Sequence, residues 1–351
     1  MTMYRSSRSA PGWVAMLALA LCAEAVAQGR VAVGADADPE FGPMVQVVDM
    51  RDLEVVHDFP AYAPGFQGGV RVAVGDINGD GVPDIIVGAG PGHSPLVRLV
   101  NGRSGALLGE FMAFDPSFSG GVYVAVGDIN GDGIPDIIVG TGPGGGGRVN
   151  VFSGRDQSFL GGFLAYGENH EGEVRVAAGD IDGDGRAEVI VAPGPGRSPE
   201  VRVFGGQPIE LLTAFVAYDA PFMGGLFIAV GDVSGDGMID IVTGADADEL
   251  EGPHVKCFGG VDLGAFCGFR AYAAGFQGGV RVAVGDINGD GIADIITAPG
   301  PTAPPQVKAF LGGTLVEGQG FFAFDAEFDG GLFVAAPPRG TVILRDGFEA
   351  E

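Results

Sequence analysis

Short apolar runs rich in β-branched residues recur along most of the chain, each closed by Gly, Pro, Asn or Asp. In one stretch they are Val70 to Val74, Ile85 to Ala89, Leu96 to Val100 and Leu108 to Phe114. Runs of this length and composition predict strands, and the punctuating residues predict tight turns between them. The set of four returns at Val122, Val174, Leu226 and Val280, in steps of 52 or 54 residues. Four short antiparallel strands in a repeat of about 50 residues make a propeller blade, which cannot bury both its faces alone and needs a neighbour on each side. The pattern predicts an all-β fold, a six-bladed β-propeller of four-stranded antiparallel blades.

The sixth blade is divided between the two ends of the repeat region. VAVGADAD at Val31 to Asp38 aligns with IIVGAGPG at Ile85 to Gly92, and FPAY at Phe59 to Tyr62 with FMAF at Phe111 to Phe114, so the first segment lacks its leading strand. GGLFVAAPP at Gly330 to Pro338 matches GGVYVAVGD at Gly120 to Asp128 without its acid, and supplies that strand. A split blade of 31–69 plus 331–336 would close the ring and leave no free inner edge. TVIL at Thr341 to Leu344 competes for the same edge. The expected division is a signal peptide at 1–27, a propeller at 28–339 and a tail at 340–351.

Between the first two strands of each complete repeat lies an oxygen-rich loop, GDINGDGVPD at Gly75 to Asp84 in the first of them. Its first seven ligand positions follow the start of an EF-hand loop, with oxygens at 1, 3, 5 and 7 and Gly at 6, but the closing acid stands at 9 rather than 12 and the flanks are strands. The candidate ligands are Asp76, Asn78, Asp80, the Val82 carbonyl and Asp84; Asp128, Asn130, Asp132, Ile134 and Asp136; Asp180, Asp182, Asp184, Arg186 and Glu188; Asp232, Ser234, Asp236, Met238 and Asp240; and Asp286, Asn288, Asp290, Ile292 and Asp294. Ser234 makes the fourth set the weakest. Carboxylates packed this densely repel one another without a cation, so up to five Ca2+ ions are expected, in structural roles.

This repeat resembles the FG-GAP (VCBS-like) repeat of integrin-alpha-like β-propellers, over about Arg30 to Val334. The resemblance implies the propeller fold, calcium and an extracellular setting. Integrin propellers have seven blades; the count here is six, so their ligand surface is not transferred by position.

Composition fits this picture. Hydrophobic residues make up 46% of the chain, enough for a packed core despite 65 Gly and 23 Pro. The net charge of −26 argues against binding a nucleic-acid backbone, and about a third of the acids belong to the five loops. At the N-terminus, Arg5 and Arg8 precede an apolar run from Trp13 to Ala23, with Ala25-Val26-Ala27 before Gln28 as a cleavage site. A lipid anchor on Cys22 is disfavoured by the bulky Leu21. Export is expected, to the extracellular space or cell surface with the periplasm as the alternative, and no later apolar run approaches the ~20 residues of a membrane span. Cys257 and Cys267 then lie in a disulfide-permissive compartment, on adjacent strands of one blade, and are expected to bond. His57, His93, His170 and His254 are scattered singly and suggest no zinc site or catalytic group.

Three further patterns recur. F-x-A-[YF], at Phe59, Phe111, Phe163, Phe215, Phe269 and Phe321, marks the outer strand, where packing between blades is expected. The second residue of the inner strand alternates between Arg71, Tyr123, Arg175, Phe227, Arg281 and Phe333, which predicts guanidiniums stacked on rings of neighbouring blades, with convergence on an anion as the alternative. The loops GADADPE (Gly34 to Glu40) and GADADEL (Gly244 to Leu250) carry the extra acids Asp36, Asp38, Asp246 and Asp248, expected to be solvated, with additional ion sites as the alternative. No nucleophile–base pair, zinc motif or cofactor fingerprint appears. The leading expectation is a monomeric, non-enzymatic adhesion or recognition module with an extracellular protein or glycan as ligand. The alternatives are a secreted hydrolase or lyase on an anionic substrate such as phytate or acidic polysaccharide, and a calcium-dependent lectin.

Overall fold

The computed structural model describes residues 29–38, 41–248 and 251–337. Among these, 24 strands form six four-stranded antiparallel sheets arranged as the blades of a ring. Blade 2 is representative: Val70–Gly75, Asp84–Ala89, Leu96–Val100 and Leu107–Met112 lie side by side in chain order. Blades 3 to 6 repeat it from Val122, Val174, Leu226 and Val280. The expected fourth strand of blade 2 runs to Phe114, but the ladder stops at Met112. Ala113 is buried and gives its N–H to the Pro95 carbonyl instead, turning the chain towards the next blade.

Closure follows the expected route. In blade 1 the order is Leu332–Ala335, Arg30–Ala35, Met44–Asp49, Val55–Pro60, with Ala335 opposite Ala32 and Leu332 opposite Ala35. The competing TVIL segment, the signal peptide and the tail lie outside the described residues.

The core is the set of interfaces between blades. Inner and second strands are buried along nearly their whole length because both faces meet neighbouring sheets, whereas fourth strands alternate on the rim. Close approach of the blades needs small residues. At Gly140 a Cβ would stand 2.3 Å from the Val174 carbonyl oxygen of the next blade. The F-x-A-[YF] motif is the clamp between blades. Phe111, Phe163, Phe215 and Phe269 pack on Phe152, Phe204, Phe258 and Phe310 of the following blade, with centroids 4.3–4.8 Å apart. Where the motif ends in Tyr, the hydroxyl crosses as well: Tyr62, Tyr166, Tyr218 and Tyr272 donate to the carbonyls of Leu96, Glu200, His254 and Gln306 at 2.8–2.9 Å.

Cys257 and Cys267 face each other across the third and fourth strands of blade 5 and form a disulfide. They are ten residues apart, so the bridge removes the closure entropy of a short loop, about 3 kcal/mol. Urea unfolding with and without dithiothreitol should show a loss of this order; an unchanged midpoint would mean that the bridge constrains nothing.

The alternating inner-strand residues form a closed arrangement. Arg71 lies 4.8 Å from the Phe333 ring and 5.2 Å from the Tyr123 ring, Arg175 3.6 Å from Phe227 and 5.7 Å from Tyr123, and Arg281 4.9 Å from Phe227 and 5.3 Å from Phe333. Each guanidinium thus sits between the rings of both flanking blades, as the stacking expectation requires. The acidic loops depart from expectation. Asp36 and Asp246 are not solvated: Asp36 pairs with Arg281 at 2.9 Å, and Asp246 with Arg175.

Candidate metal centres

Each candidate loop is the hairpin between the first two strands of a blade, so all five stand on one face of the ring. The ladder in blade 2 ends with Gly75 opposite Asp84, which makes Asp84 the first residue of the second strand and not a free loop residue. Eight residues must turn back between these ends. Gly79 and Gly81 do so at φ of 73° and 78°, the left-handed region that glycine enters without Cβ strain.

The leading acid organises the turn. Asp76 Oδ1 accepts the N–H groups of Gly79 and Asp80, and its Oδ2 that of Gly81. The same three bonds recur on Asp128 and Asp180, while Asp232 and Asp286 receive two each from the corresponding glycines. The fifth position caps the end of the turn: Asp80, Asp132, Asp184, Asp236 and Asp290 accept the N–H of Val82, Ile134, Arg186, Met238 and Ile292. Alternate side chains are thereby held on one side of each hairpin.

The closing acid lies beneath them. Asp84, Asp136 and Asp294 are fully buried, and Glu188 and Asp240 nearly so. Burial pushes Asp84 and Asp136 up to about 6, with the neighbouring acids Asp80 and Asp76, and Asp128, adding to it; Glu188, Asp240 and Asp294 are raised for the same first reason. Asp180, Asp182 and Glu188 bring carboxylate oxygens within 4.8 Å of one another. In blades 2 and 3 the asparagine instead turns its nitrogen inward, Asn78 to Asp84 and Asn130 to Asp136. A cation there would be met by the oxygen after the amide turns over.

These residues fit a hard cation. Asp84 Oδ2 is buried without any hydrogen-bond partner, so a carboxylate oxygen is left needing positive charge inside a set of oxygens. Calcium bound there would draw on Asp76, Asn78, Asp80, the Val82 carbonyl and Asp84, and on the equivalent positions of the other four loops.

One participant escaped the sequence reading. The turn between third and fourth strands folds under the hairpin, and Gly102, Gly154 and Gly312 give their N–H to Asp84, Asp136 and Asp294. At Gly102 a Cβ would meet the Pro83 carbonyl oxygen at 1.8 Å. The signal was a glycine recurring just after each third strand, at 102, 154, 206, 260 and 312.

The raised closing acids give a pH dependence of definite sign. Without metal, the folded protein holds protons on Asp84 and Asp136 between about pH 4 and 6 that the unfolded chain has released, with Glu188, Asp240 and Asp294 shifted in the same direction, so the contribution of these groups to stability falls as pH rises. A bound cation favours the charged form and reverses the slope. Thermal unfolding in chelator should therefore give a higher midpoint at pH 5.5 than at 7.5, and in calcium the opposite order. Parallel slopes would show that these carboxylates do not bind the ion.

The architecture and hairpins define a closed six-bladed propeller with a repeated oxygen-lined loop on one face. The FG-GAP repeat matches at residues 68–107 and 278–309, and the FG-GAP-like repeat at 128–191. Parts of blades 2, 3, 4 and 6 of this β-propeller therefore match FG-GAP and FG-GAP-like repeats. Among solved structures, a protein of unknown function from Bacteroides caccae shares the fold with a TM-score of 0.55 at 12% identity, over 87% of this chain and 97% of that one. The WD40 repeats of RRP9 align with a TM-score of 0.47 at 14% identity, over 83% of this chain and 77% of that one. No helix of the described residues is long and apolar enough to cross a membrane.

Proposed function

We propose that the protein is an exported recognition or adhesion module whose hairpin loops are held by calcium, with an extracellular protein or glycan as its ligand. The observation that carries this reading is the recurrence of one oxygen-lined hairpin in five blades of a closed ring, parts of which match FG-GAP-type repeats. Such an arrangement puts its metal ligands to structural use and leaves the opposite face, built from the loops between second and third strands, free to vary in sequence for binding.

The competing reading, a hydrolase or lyase acting on phytate or an acidic polysaccharide, would draw on the three inner arginines. Two of them are already neutralised, Arg175 by Glu173 and Asp246 and Arg281 by Asp36, which weighs against a polyanion site. A lectin mode needs open coordination positions, and each hairpin brings its own full set of oxygens.

The deciding experiment is binding of the mature protein to an array of glycans and purified matrix proteins, in calcium and in chelator. Calcium-dependent capture of one class supports recognition and identifies the ligand. A folded, calcium-loaded protein that binds nothing on the array, but turns over phytate or an acidic polysaccharide, overturns it.

A further inference from the structure

The three inner arginines occupy equivalent positions but do not have equivalent partners. Arg281 gives Nη1 to the Gly278 carbonyl at 3.3 Å and Nη2 to Asp36 of the next blade at 2.9 Å. Arg71 makes the same first bond, to Gly68 at 3.2 Å, and lacks the second. The reason is in the next blade. The residue that follows the second strand is Asp36 in blade 1 and Asp246 in blade 5, where each meets the arginine of the preceding blade. In blade 3 it is Gly142, where a Cβ would sit 2.0 Å from the Gly120 carbonyl oxygen. Among the described residues no carboxylate lies within ion-pair distance of Arg71. Glu173, the remaining acid at this level, is engaged by Arg175 and by the Tyr123 hydroxyl.

Arg71 is 9% exposed; its Nε is buried without a partner, as are those of Arg175 and Arg281, but of the three it alone has no carboxylate beside it. A guanidinium does not discard its proton on burial, and its two flanking rings offset only part of its lost hydration. It lines a central cavity of about 70 Å³ together with Tyr123, Arg175, Phe227, Arg281 and Phe333. A water needs about 10–15 Å³ of such space, so the cavity has room for a small ion with a little water.

We propose that this cavity is an anion site, in which a small monovalent anion of carboxylate size lies against the Arg71 guanidinium and supplies the negative charge that Asp36 and Asp246 supply to Arg281 and Arg175. The planar fork of the guanidinium suits a carboxylate, and the apolar walls of Val72 and Val124 discriminate against multiply charged, strongly hydrated ions.

The test uses 13C-formate as probe, titrated into the mature protein at fixed ionic strength and followed by NMR relaxation, with Arg71→Met and the exposed Arg270→Met compared. Saturable binding is expected in the wild type and in R270M, weakened more than about tenfold in R71M. Crystals of the wild type soaked in bromide provide a measurement that does not depend on the variant folding. An anomalous peak against the Arg71 guanidinium, displaced by formate, is expected. Equal formate binding by R71M and the wild type, or bromide confined to the outer surface, overturns the proposal.

Discussion

Chelating calcium at pH 7.5 is expected to lower the thermal midpoint by roughly 10–20 °C. A site that binds only the folded state contributes about 2.7 kcal/mol when calcium stands at a hundred times its dissociation constant. A chain of this size shifts by only about 2 °C per kcal/mol, so several occupied hairpins are needed to move it this far. The structural basis is that each hairpin is built mainly of Gly, Asp and Asn, is anchored by a buried apolar residue such as Ile77 or Val233, and places an acid under the blade surface. Without the ion, Asp84 and its counterparts are held there against burial and mutual repulsion. Differential scanning calorimetry in calcium, in EGTA and after calcium is restored reads the effect. A melt that EGTA leaves unchanged removes the calcium claim, while the FG-GAP repeat matches and the fold remain. Within the series, Asp84→Ala should lower the calcium-loaded midpoint and reduce the response to EGTA, because it removes both the buried oxygen and one site.

Ending the chain at Gly331 should have a second large effect. The closing strand contributes Leu332, Phe333, Val334 and Ala335, all buried, and four register pairs to the strand Arg30–Ala35. Burying a large apolar side chain is worth about 1.5–3 kcal/mol, so the loss is about 6–8 kcal/mol before the exposed edge is counted. It also leaves Arg30–Ala35 open to pair with another chain. The truncated protein is expected to aggregate or to unfold at much lower urea, whereas a chain ending at Pro337 keeps the strand and should match the full-length protein. Equal stability of both truncations would show that the ring does not depend on this strand.

Most of the fold was legible because the information is local and repeated. The strand runs, the hairpin acids and the missing first strand of blade 1 all show in a simple alignment of the chain with itself, and Leu332–Ala335 was identifiable as the closing strand before any coordinates. What escaped depends on the ring being closed. Asp36 meets Arg281 across 245 positions of sequence and Asp246 meets Arg175 across 71, so nothing adjacent to either acid indicated a partner. The donors Gly102, Gly154 and Gly312 were hidden differently: their contribution is a backbone N–H, which residue type does not reveal. The stop of the fourth strand at Met112 came from a tertiary hydrogen bond that cuts into the apolar run Phe111 to Phe114.

The alternation of cation and ring around the inner strands also carries a rule of parity. A two-letter pattern can be laid on a circle without a fault only when the number of places is even. Six blades allow three arginines and three rings to interleave, and the terminal strand completes the order by bringing Phe333 between Arg281 and Arg71. Adding or losing one blade would set two guanidiniums, or two rings, side by side at the seam. The unit by which such a ring can grow or shrink is therefore a pair of blades, which makes a seven-bladed derivative of this sequence a neighbour in length but not in packing.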